Sequence, residues 1–214
     1  MIKRVYVWEF PVRLVHWFWF FDVGVLSVSG LYIGFPFMYA LRENELIMSN
    51  MRFVHFVAAY VFACACFIRI YWLFAGNQYA QWRGMVPITK AQWEKIVDQF
   101  LFYSFLRKKA PRVIGHTGLA ALSYLGLFVI FFVEILTGFA LYSQSHTGAI
   151  WGLFGGWLLS VFSVGYIRLV HHLIMWLIFV FIGTHFYMGW YDDIREKIGE
   201  KSSIFSGYKN IDEG

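Results

Sequence analysis

The chain has 214 residues, of which 59% are hydrophobic and only 14% are charged. An ordinary soluble domain is typically about 45–50% apolar and about 25% charged. The composition therefore excludes a soluble globular domain, a disordered chain, a collagen-like repeat and a disulfide-stapled secreted scaffold, and it favours a bundle of membrane-spanning helices. The formal net charge of +5 does not indicate a nucleic-acid partner, because the basic residues lie in the connections between apolar runs.

Four apolar stretches are long enough to cross the roughly 30 Å of a bilayer's hydrocarbon, which takes about 20 helical residues. They cover residues 14–35, 53–75, 119–142 and 169–190. A fifth apolar run, 149–164, is shorter and rich in glycine, which is typical of an interfacial or re-entrant segment. The sequence thus predicts an all-α, four-helix membrane bundle, a single domain over residues 1–214, with a short outer interfacial segment.

The distribution of Lys and Arg predicts the orientation of this bundle. Fifteen of the 18 Lys and Arg residues lie in or near the N-terminal segment, the connection between the second and third spans, and the C-terminal tail. Only Arg42, Arg52 and Arg168 lie on the opposite side. By the positive-inside rule we expect both termini in the cytoplasm, which requires an even number of spans.

Two segments outside the spans have their own predictions. Residues 91–106 carry apolar side chains at helical spacing with charges between them: Trp93, Val97, Phe100 and Leu101. This pattern predicts an amphipathic helix on the cytoplasmic surface, in contact with membrane lipid. The tail after Asp192 is polar, and we expect it to be ordered only where it contacts another part of the protein.

The depth of the histidines within the spans is the most informative feature of the sequence. Ionisable residues in spans are costly, usually face the bundle interior and often mark function. His16 opens the first span at its cytoplasmic end, and His55 opens the second at its outer end. His171 and His172 open the fourth span at its outer end, and His185 lies near its cytoplasmic end.

His171 and His185 lie 14 residues apart, which is about 21 Å along a helix and about 40° short of four full turns. One imidazole therefore lies near each membrane surface on the same face of the helix. His55 supplies a partner at the outer depth, and His16 supplies one at the inner depth. Two such pairs, stacked across a bilayer, are the arrangement that two bis-histidine b-type haems require.

Two other interpretations of these histidines stay open. A zinc ion would need four ligands at each site, and the matching depths carry no carboxylates or thiols. A lone histidine in a span often only hydrogen-bonds to a neighbouring helix. His171 is preferred over His172 as a ligand because its helical phase matches that of His185 better.

Small and basic residues near the histidines have two interpretations each. Glycines in the spans would make room for a macrocycle or allow close helix packing: Gly24, Gly30, Gly138 and Gly183. Arginines near the span ends would pair with haem propionates or anchor the helices at the interface: Arg13, Arg52, Arg69 and Arg168.

Short strings spread along nearly the whole chain carry a family resemblance. They are EFPVRLVHW at 9–17, MRFVHF at 51–56, RIYW at 69–72 with Gly76-Asn77, Gly115-His116, TGFALY at 137–142, and the segment from His171 through MWL at 175–177 to His185. In this order and spacing they resemble the b-type cytochrome subunits of membrane-bound nickel–iron hydrogenases, within the di-haem cytochrome b561-like superfamily.

The resemblance implies a respiratory role for a multi-pass protein of the cell inner membrane. An outer-face hydrogenase would oxidise hydrogen, and its small iron–sulfur subunit, bound to the large subunit, would pass electrons to an outer haem, an inner haem and then menaquinone or ubiquinone. The family's axial haem-iron ligand positions fall on His16, His55, His171 and His185. They pair His55 with His171 and His16 with His185.

Two alternative functions are kept beside this one. The chain would be the equivalent cytochrome subunit of another outer-face oxidoreductase, of the formate dehydrogenase or thiosulfate reductase type, or it would be a haem-free membrane transporter or assembly protein. The chain also departs from the family at residues 117–121, where relatives carry Asn and Gln linked to quinone chemistry. That part of the quinone pocket is therefore not carried over.

Three residues are candidates for the proton chemistry of quinone reduction. The inner haem is the last carrier in the family's sequence, which favours a quinone site on the cytoplasmic side. His116, at the inner end of the third span, would hydrogen-bond to a quinone carbonyl or relay a proton, or it is an interfacial polar residue. Asp22 and Glu134 lie deeper in the spans, where carboxylates relay protons or hydrogen-bond between helices.

Overall fold

The structure is a computed structural model, and it describes residues 2–37, 46–107, 115, 117–146, 148–196 and 200–212. Its elements in chain order are β1 (Ile2–Tyr6), α1 (Phe10–Gly34), α2 (Ile47–Ala75), α3 (Trp82–Met85), α4 (Lys90–Tyr103), α5 (Gly118–Ser143), α6 (Ala149–Phe154), a 3-10 helix (Gly156–Ser160), α7 (Val164–Glu196), α8 (Glu200–Ser206) and β2 (Tyr208–Asp212).

Four helices of the described chain, α1, α2, α5 and α7, are long and apolar enough to cross a membrane. They confirm the four predicted spans and the helical character of the fold. Each helix extends beyond its predicted stretch, most of all α7, which begins at Val164 and ends at Glu196. Hydropathy marks only the part of a helix that lies in hydrocarbon, whereas the helix continues into the interface, where polar side chains are hydrated.

Helix is the structure these apolar stretches adopt because a backbone in hydrocarbon must satisfy its own hydrogen bonds. Polar caps begin two of the helices. The Thr117 hydroxyl accepts a hydrogen bond from the backbone N–H of Ala120 at 3.3 Å at the start of α5, and Thr89 and Gln92 form a capping box at the start of α4. These side chains satisfy amide groups that have no partner inside the helix.

The chain forms two compact units. The small unit, Leu14–Ile70, contains the greater part of α1 and α2, and the large unit contains Met1–Arg13 and Tyr71–Gly214. In the large unit α5 packs against α7, and the short helices between them pack on α5. Most large apolar side chains of the spans point outward, as expected for helices that contact lipid.

A two-stranded antiparallel sheet in the large unit joins the two ends of the chain. β1 pairs with β2 in a register that places Ile2 opposite Asp212 and Tyr6 opposite Tyr208. The all-α prediction did not include these strands, because each is five residues long and its partner lies at the other end of the chain. The tail is thus ordered where it contacts the N-terminal segment. The pairing places both terminal segments together, as an even number of spans requires.

A hydrogen-bonded cluster beside the sheet ties the start of α1 to the end of α2. The Glu9 carboxylate accepts hydrogen bonds from the Trp72 indole at 3.0 Å and from the Asn77 backbone N–H at 2.7 Å. The Asn77 side-chain amide donates to the Val7 carbonyl at 3.0 Å. Two of the strings in the sequence, around Glu9 and around Gly76-Asn77, therefore meet in one structural cluster.

α4 confirms the predicted surface helix and shows in addition which face packs on the protein. Its buried residues are Ile96, Gln99 and Phe102, whereas the residues of the predicted apolar stripe, Trp93, Val97 and Phe100 among them, are about half exposed. The Tyr103 hydroxyl donates to both oxygens of Asp192 on α7, at 3.0 and 3.1 Å. Both faces carry apolar residues, since one packs on the protein and the other is free to contact lipid.

The glycine-rich run between α5 and α7 does not form a spanning helix. It breaks at Gly155 into α6 and the 3-10 helix, and a Cβ on Gly155 would lie 2.6 Å from the Ala140 backbone nitrogen and still closer to the Leu136 carbonyl oxygen. Only a glycine allows this close approach. Leu136 lies seven residues from the end of α5 at Ser143, about 10 Å along the helix, so the segment folds back along the span.

Candidate functional site

His55 lies in the small unit in a close contact between α2 and α1. Its Nδ1 is 3.0 Å from the hydroxyl of Ser29, which is buried at 2% exposure. A Cβ on the next residue, Gly30, would lie 3.2 Å from Cε1 of the same ring, tighter than an ordinary van der Waals contact. Ser29 and Gly30 of α1 thus contact one edge of the His55 imidazole and fix its position.

His171 lies in a matching contact in the large unit, between α7 and α5. Its Nδ1 is 2.9 Å from the Thr137 hydroxyl, and a Cβ on Gly138 would lie 3.3 Å from its Cε1. One oxygen of the Glu134 carboxylate is 3.3 Å from the same Nδ1. The surroundings of His171 therefore repeat those of His55. In each case a hydroxyl residue followed by a glycine, on the neighbouring helix, contacts the imidazole, and we call this pair of residues the cradle of the histidine. An acidic side chain also lies beside His171.

His185 also contacts α5 through its Nδ1, but with a phenol. The Tyr124 hydroxyl lies 3.4 Å from Nδ1, and the imidazole stacks on the Phe181 ring with 5.7 Å between centroids. The aromatic neighbours limit rotation of the ring. His185 is thus positioned by apolar faces and a longer polar contact.

In each unit the helices carry histidines at two well-separated depths. In the small unit His55 lies level with Ser29, and His16 is 13 residues earlier on α1, about 20 Å away along the axis. In the large unit His171 lies level with Thr137, and His185 lies level with Tyr124, which is 13 residues earlier on α5. The cross-helix contacts thus place the histidines of each unit about 20 Å apart, roughly two thirds of the hydrocarbon thickness.

The four candidate arginines lie in different surroundings. Arg13, at the start of α1, donates from its guanidinium to the Phe205 carbonyl, so it contacts the C-terminal tail. Arg52 and Arg168 are exposed. Arg69 is the buried member of the set, with 6% exposure on α2.

The two acidic candidates in the described part of the chain each have one buried carboxylate oxygen without a hydrogen-bond partner there, in Asp22 and in Glu134. The Glu134 oxygen lies 3.3 Å from His171 Nδ1 across the helix interface. His116 lies outside the described residues. The structure thus places Glu134 at the level of a candidate ligand, nine residues from the end of α5 at Ser143. The expectation that no carboxylate lies at the depths of the histidines was therefore wrong, because that depth was judged from span ends and not from the contact between α5 and α7.

Sequence reasoning missed the hydroxyl partners of the histidines, Ser29 and Thr137. It singled out Gly30 and Gly138, which directly follow them. The available signal was a hydroxyl residue followed by glycine in each helix. That signal is weak alone, because serine and threonine are common where helices pack in membranes.

The chain is similar to a group of hydrogenase-associated cytochromes. A family model described as prokaryotic cytochrome b561 matches residues 7–207. A protein of Cupriavidus necator named as a Ni/Fe-hydrogenase B-type cytochrome subunit is 37% identical, over 98% of this chain and 88% of its own length. A subunit of the same name from Azotobacter chroococcum is 36% identical over 96% of this chain and 88% of its own length. The Ni/Fe-hydrogenase 1 B-type cytochrome subunit of Escherichia coli K12 is 34% identical over 96% of this chain and 90% of its own length.

Proposed function

This chain belongs to the prokaryotic cytochrome b561 family, and we propose that it carries electrons from an outer-face nickel–iron hydrogenase across the membrane to quinone. Membership of this family makes it a b-type cytochrome that binds haem b, and its four apolar helices make it a multi-pass membrane protein. The observation that carries the proposal is the placing of histidines at two depths in each unit, two of them held at Nδ1 by a hydroxyl.

The residues at both cradles fit a haem ligand. An imidazole whose Nδ1 is engaged by a protein group binds a metal through Nε2. Gly30 and Gly138 leave the histidine ring the room that a Cβ would take. Haem b, when bound, supplies one-electron oxidation and reduction. We assign His55 and His171 to an outer haem and His16 and His185 to an inner haem, two per chain.

The electron donor in this proposal is the iron–sulfur small subunit of the hydrogenase, which carries the large subunit with it. The relatives' names, Ni/Fe-hydrogenase B-type cytochrome subunit, support a hydrogenase partner. The outer haem would receive the electrons and the inner haem would deliver them. The basic residues favour the cell inner membrane orientation with both termini in the cytoplasm.

The quinone site belongs beside the inner haem, on the cytoplasmic side. Reduction of a quinone takes two electrons and two protons, so a proton route must reach the site. Asp22 and His116 remain candidates for that route. Glu134 lies toward the other end of α5, level with His171, which supports a role as the partner of this histidine rather than at the quinone.

Arg69 is the arginine best suited to a haem propionate. A guanidinium buried in a span usually pairs with an anion or with backbone carbonyls, because its desolvation is costly. Arg13 already contacts the C-terminal tail, and the exposed Arg52 and Arg168 serve equally as interface anchors. We propose Arg69 as the first of the four to test.

A spectroscopic and a composition measurement test the proposal together. We expect the chain, purified in detergent from its native host, to show a reduced-minus-oxidised b-type spectrum with two haems per chain. We expect nickel and iron–sulfur clusters to co-purify when solubilisation is mild. A pigment-free preparation would contradict the haem assignment, and co-purification of a molybdenum or tungsten enzyme in place of nickel would contradict the hydrogenase partner.

A further inference from the structure

We infer that Ser29 and Thr137 are positioning residues that hold His55 and His171 in one tautomer and one orientation, with Nε2 as the ligating nitrogen. The inference rests on the proposed function, because it concerns haem ligation by these two histidines. It assigns a role to two hydroxyl groups that the family comparison does not mention.

The direction of the Ser29–His55 hydrogen bond follows from the serine's other contact. A serine hydroxyl has one hydrogen to donate and two lone pairs with which to accept. The Ser29 hydroxyl lies 2.6 Å from the Val25 carbonyl oxygen four residues earlier on α1, and a carbonyl can only accept. The serine hydrogen is therefore used on the backbone, and the contact with His55 Nδ1 at 3.0 Å requires the ring to donate.

Thr137 leads to the same conclusion for His171. Its hydroxyl lies 2.8 Å from the Val133 carbonyl oxygen and 2.9 Å from His171 Nδ1, so the threonine donates to the backbone and accepts from the ring. The Glu134 carboxylate oxygen 3.3 Å from the same Nδ1 makes no hydrogen bond within the described part of the chain. The Thr137 hydroxyl is therefore the group that favours a proton on Nδ1.

A proton on Nδ1 determines which nitrogen can bind a metal. A neutral imidazole carries one N–H and one lone pair. With the hydrogen on Nδ1, the lone pair is on Nε2, which is the form a haem ligand needs. In the opposite tautomer, the Nδ1 lone pair would face the lone pairs of the hydroxyl. For the hydroxyl to donate to Nδ1 instead, it would have to give up its hydrogen bond to the helix backbone.

The glycine that follows each hydroxyl completes the cradle. A Cβ at Gly30 or Gly138 would press on Cε1 of the ring at 3.2 or 3.3 Å. The hydroxyl fixes Nδ1 and the neighbouring glycine surface limits the tilt of the ring about that bond. Two successive residues of one helix thus set both the protonation and the orientation of a ligand on the neighbouring helix.

The test compares variants that remove or keep the hydroxyl. Thr137→Val keeps the β-branched shape and removes the acceptor, whereas Thr137→Ser keeps it; Ser29→Ala and Ser29→Thr form the second pair. Two serines on the same helices serve as controls: Ser27, which is buried on α1, and Ser123, which makes the same bond to the backbone of α5 at 2.9 Å. Each full-length variant is purified with its partner subunits.

The measurements are haem release to apomyoglobin, low-temperature electron paramagnetic resonance of the oxidised haems, and a redox titration. For Thr137→Val and Ser29→Ala we expect release of one of the two haems to quicken about 10- to 100-fold. We also expect the resonance and the midpoint potential of that haem to shift. Thr137→Ser, Ser29→Thr, Ser27→Ala and Ser123→Ala should match the wild type in all three measurements.

Two results would overturn the inference while leaving the proposed function intact. The first is a wild type with two haems and a Thr137→Val variant that is indistinguishable from Ser123→Ala in all three measurements. The second is an equal loss of haem in Thr137→Ser and Thr137→Val, because the serine keeps the hydroxyl. Absence of haem from the wild type would instead overturn the proposed function.

Discussion

At the scale of single residues, a histidine in a span is costly unless a polar neighbour compensates for the loss of water. Ser29 and Thr137 are such neighbours, and each already satisfies its own hydroxyl on the helix backbone. The same contact that lowers the cost of burying His55 or His171 also fixes its ring. Stability and ligand geometry therefore depend on the same atoms.

Replacement of one ligand should remove one haem only. We expect His171→Ala to retain the haem assigned to His16 and His185 and to lose the other, because the two depths are about 20 Å apart on the helix. The remaining haem should still be reduced by added quinol but no longer by hydrogen. Haem content and the difference spectrum check this result.

An exposed histidine provides the control for this ligand variant. His146 stacks on Tyr142 outside the candidate site, so His146→Ala should retain both haems and reduction by hydrogen. A His171→Ala protein that keeps two haems would contradict the ligand assignment. So would a variant in which the surviving haem is reduced by hydrogen at the wild-type rate.

A matched pair of glycine variants tests the cradle sterically. A Cβ at Gly138 would lie 3.3 Å from His171 Cε1, whereas at Gly126, on the same helix, it would meet nothing within 4 Å. Overpacking costs about 1–3 kcal/mol, so Gly138→Ala should be less stable than Gly126→Ala by that amount. Thermal unfolding of the two variants, followed at the haem absorbance, gives the difference; equal stabilities would show that the cradle tolerates a methyl group.

The histidines and glycines of the candidate site were proposed from the sequence, whereas the hydroxyls were not. Depth and helical phase of His171 and His185 can be counted from the sequence, since a helix has a fixed rise and period. The bond from Thr137 to the backbone is common to serine and threonine in helices. Its second contact, with a residue 34 positions away, depends on packing that no local pattern encodes.

At the scale of elements, length and hydropathy were sufficient for the four spans and insufficient for the surface elements. The apolar stripe of α4 that contains Trp93 was predicted as the face of a helix at the membrane surface. The stripe did not indicate that Ile96 and Phe102 form a second face, which is buried. β1 and β2 are too short to be predicted without knowledge that the two ends meet.

The segment after α5 provides a prediction at the scale of elements. A Cβ at Gly155 would lie 2.6 Å from the Ala140 backbone nitrogen, a contact that cannot relax at a flexible side-chain tip, whereas at Gly152 it would meet nothing within 4 Å. We expect Gly155→Ala to lower the free energy of unfolding by at least about 1–3 kcal/mol relative to Gly152→Ala. Denaturation of the two variants in detergent measures the difference in their free energies of unfolding. A Gly155→Ala protein as stable as Gly152→Ala would show that α6 does not pack closely on α5.

At the scale of the whole molecule, the two ends of the chain are joined in one cluster. β1 pairs with β2, and Glu9 links the start of α1 to Trp72 and Asn77 at the end of α2. This pairing supports the expectation that both termini lie on the same side of the membrane. The distribution of basic residues predicts that this side is the cytoplasm.

Reporter fusions test this orientation. We expect green fluorescent protein fused after Gly214 to fluoresce, because it folds in the cytoplasm, and alkaline phosphatase at the same position to be inactive. Alkaline phosphatase inserted after Gln144, at the end of α5, should be active, because the charge distribution predicts that this end faces the periplasm. Active phosphatase at Gly214 together with inactive phosphatase at Gln144 would show that the orientation is opposite to the predicted one. The outer haem would then be the one held by His16 and His185, and electrons from an outer-face hydrogenase would enter there.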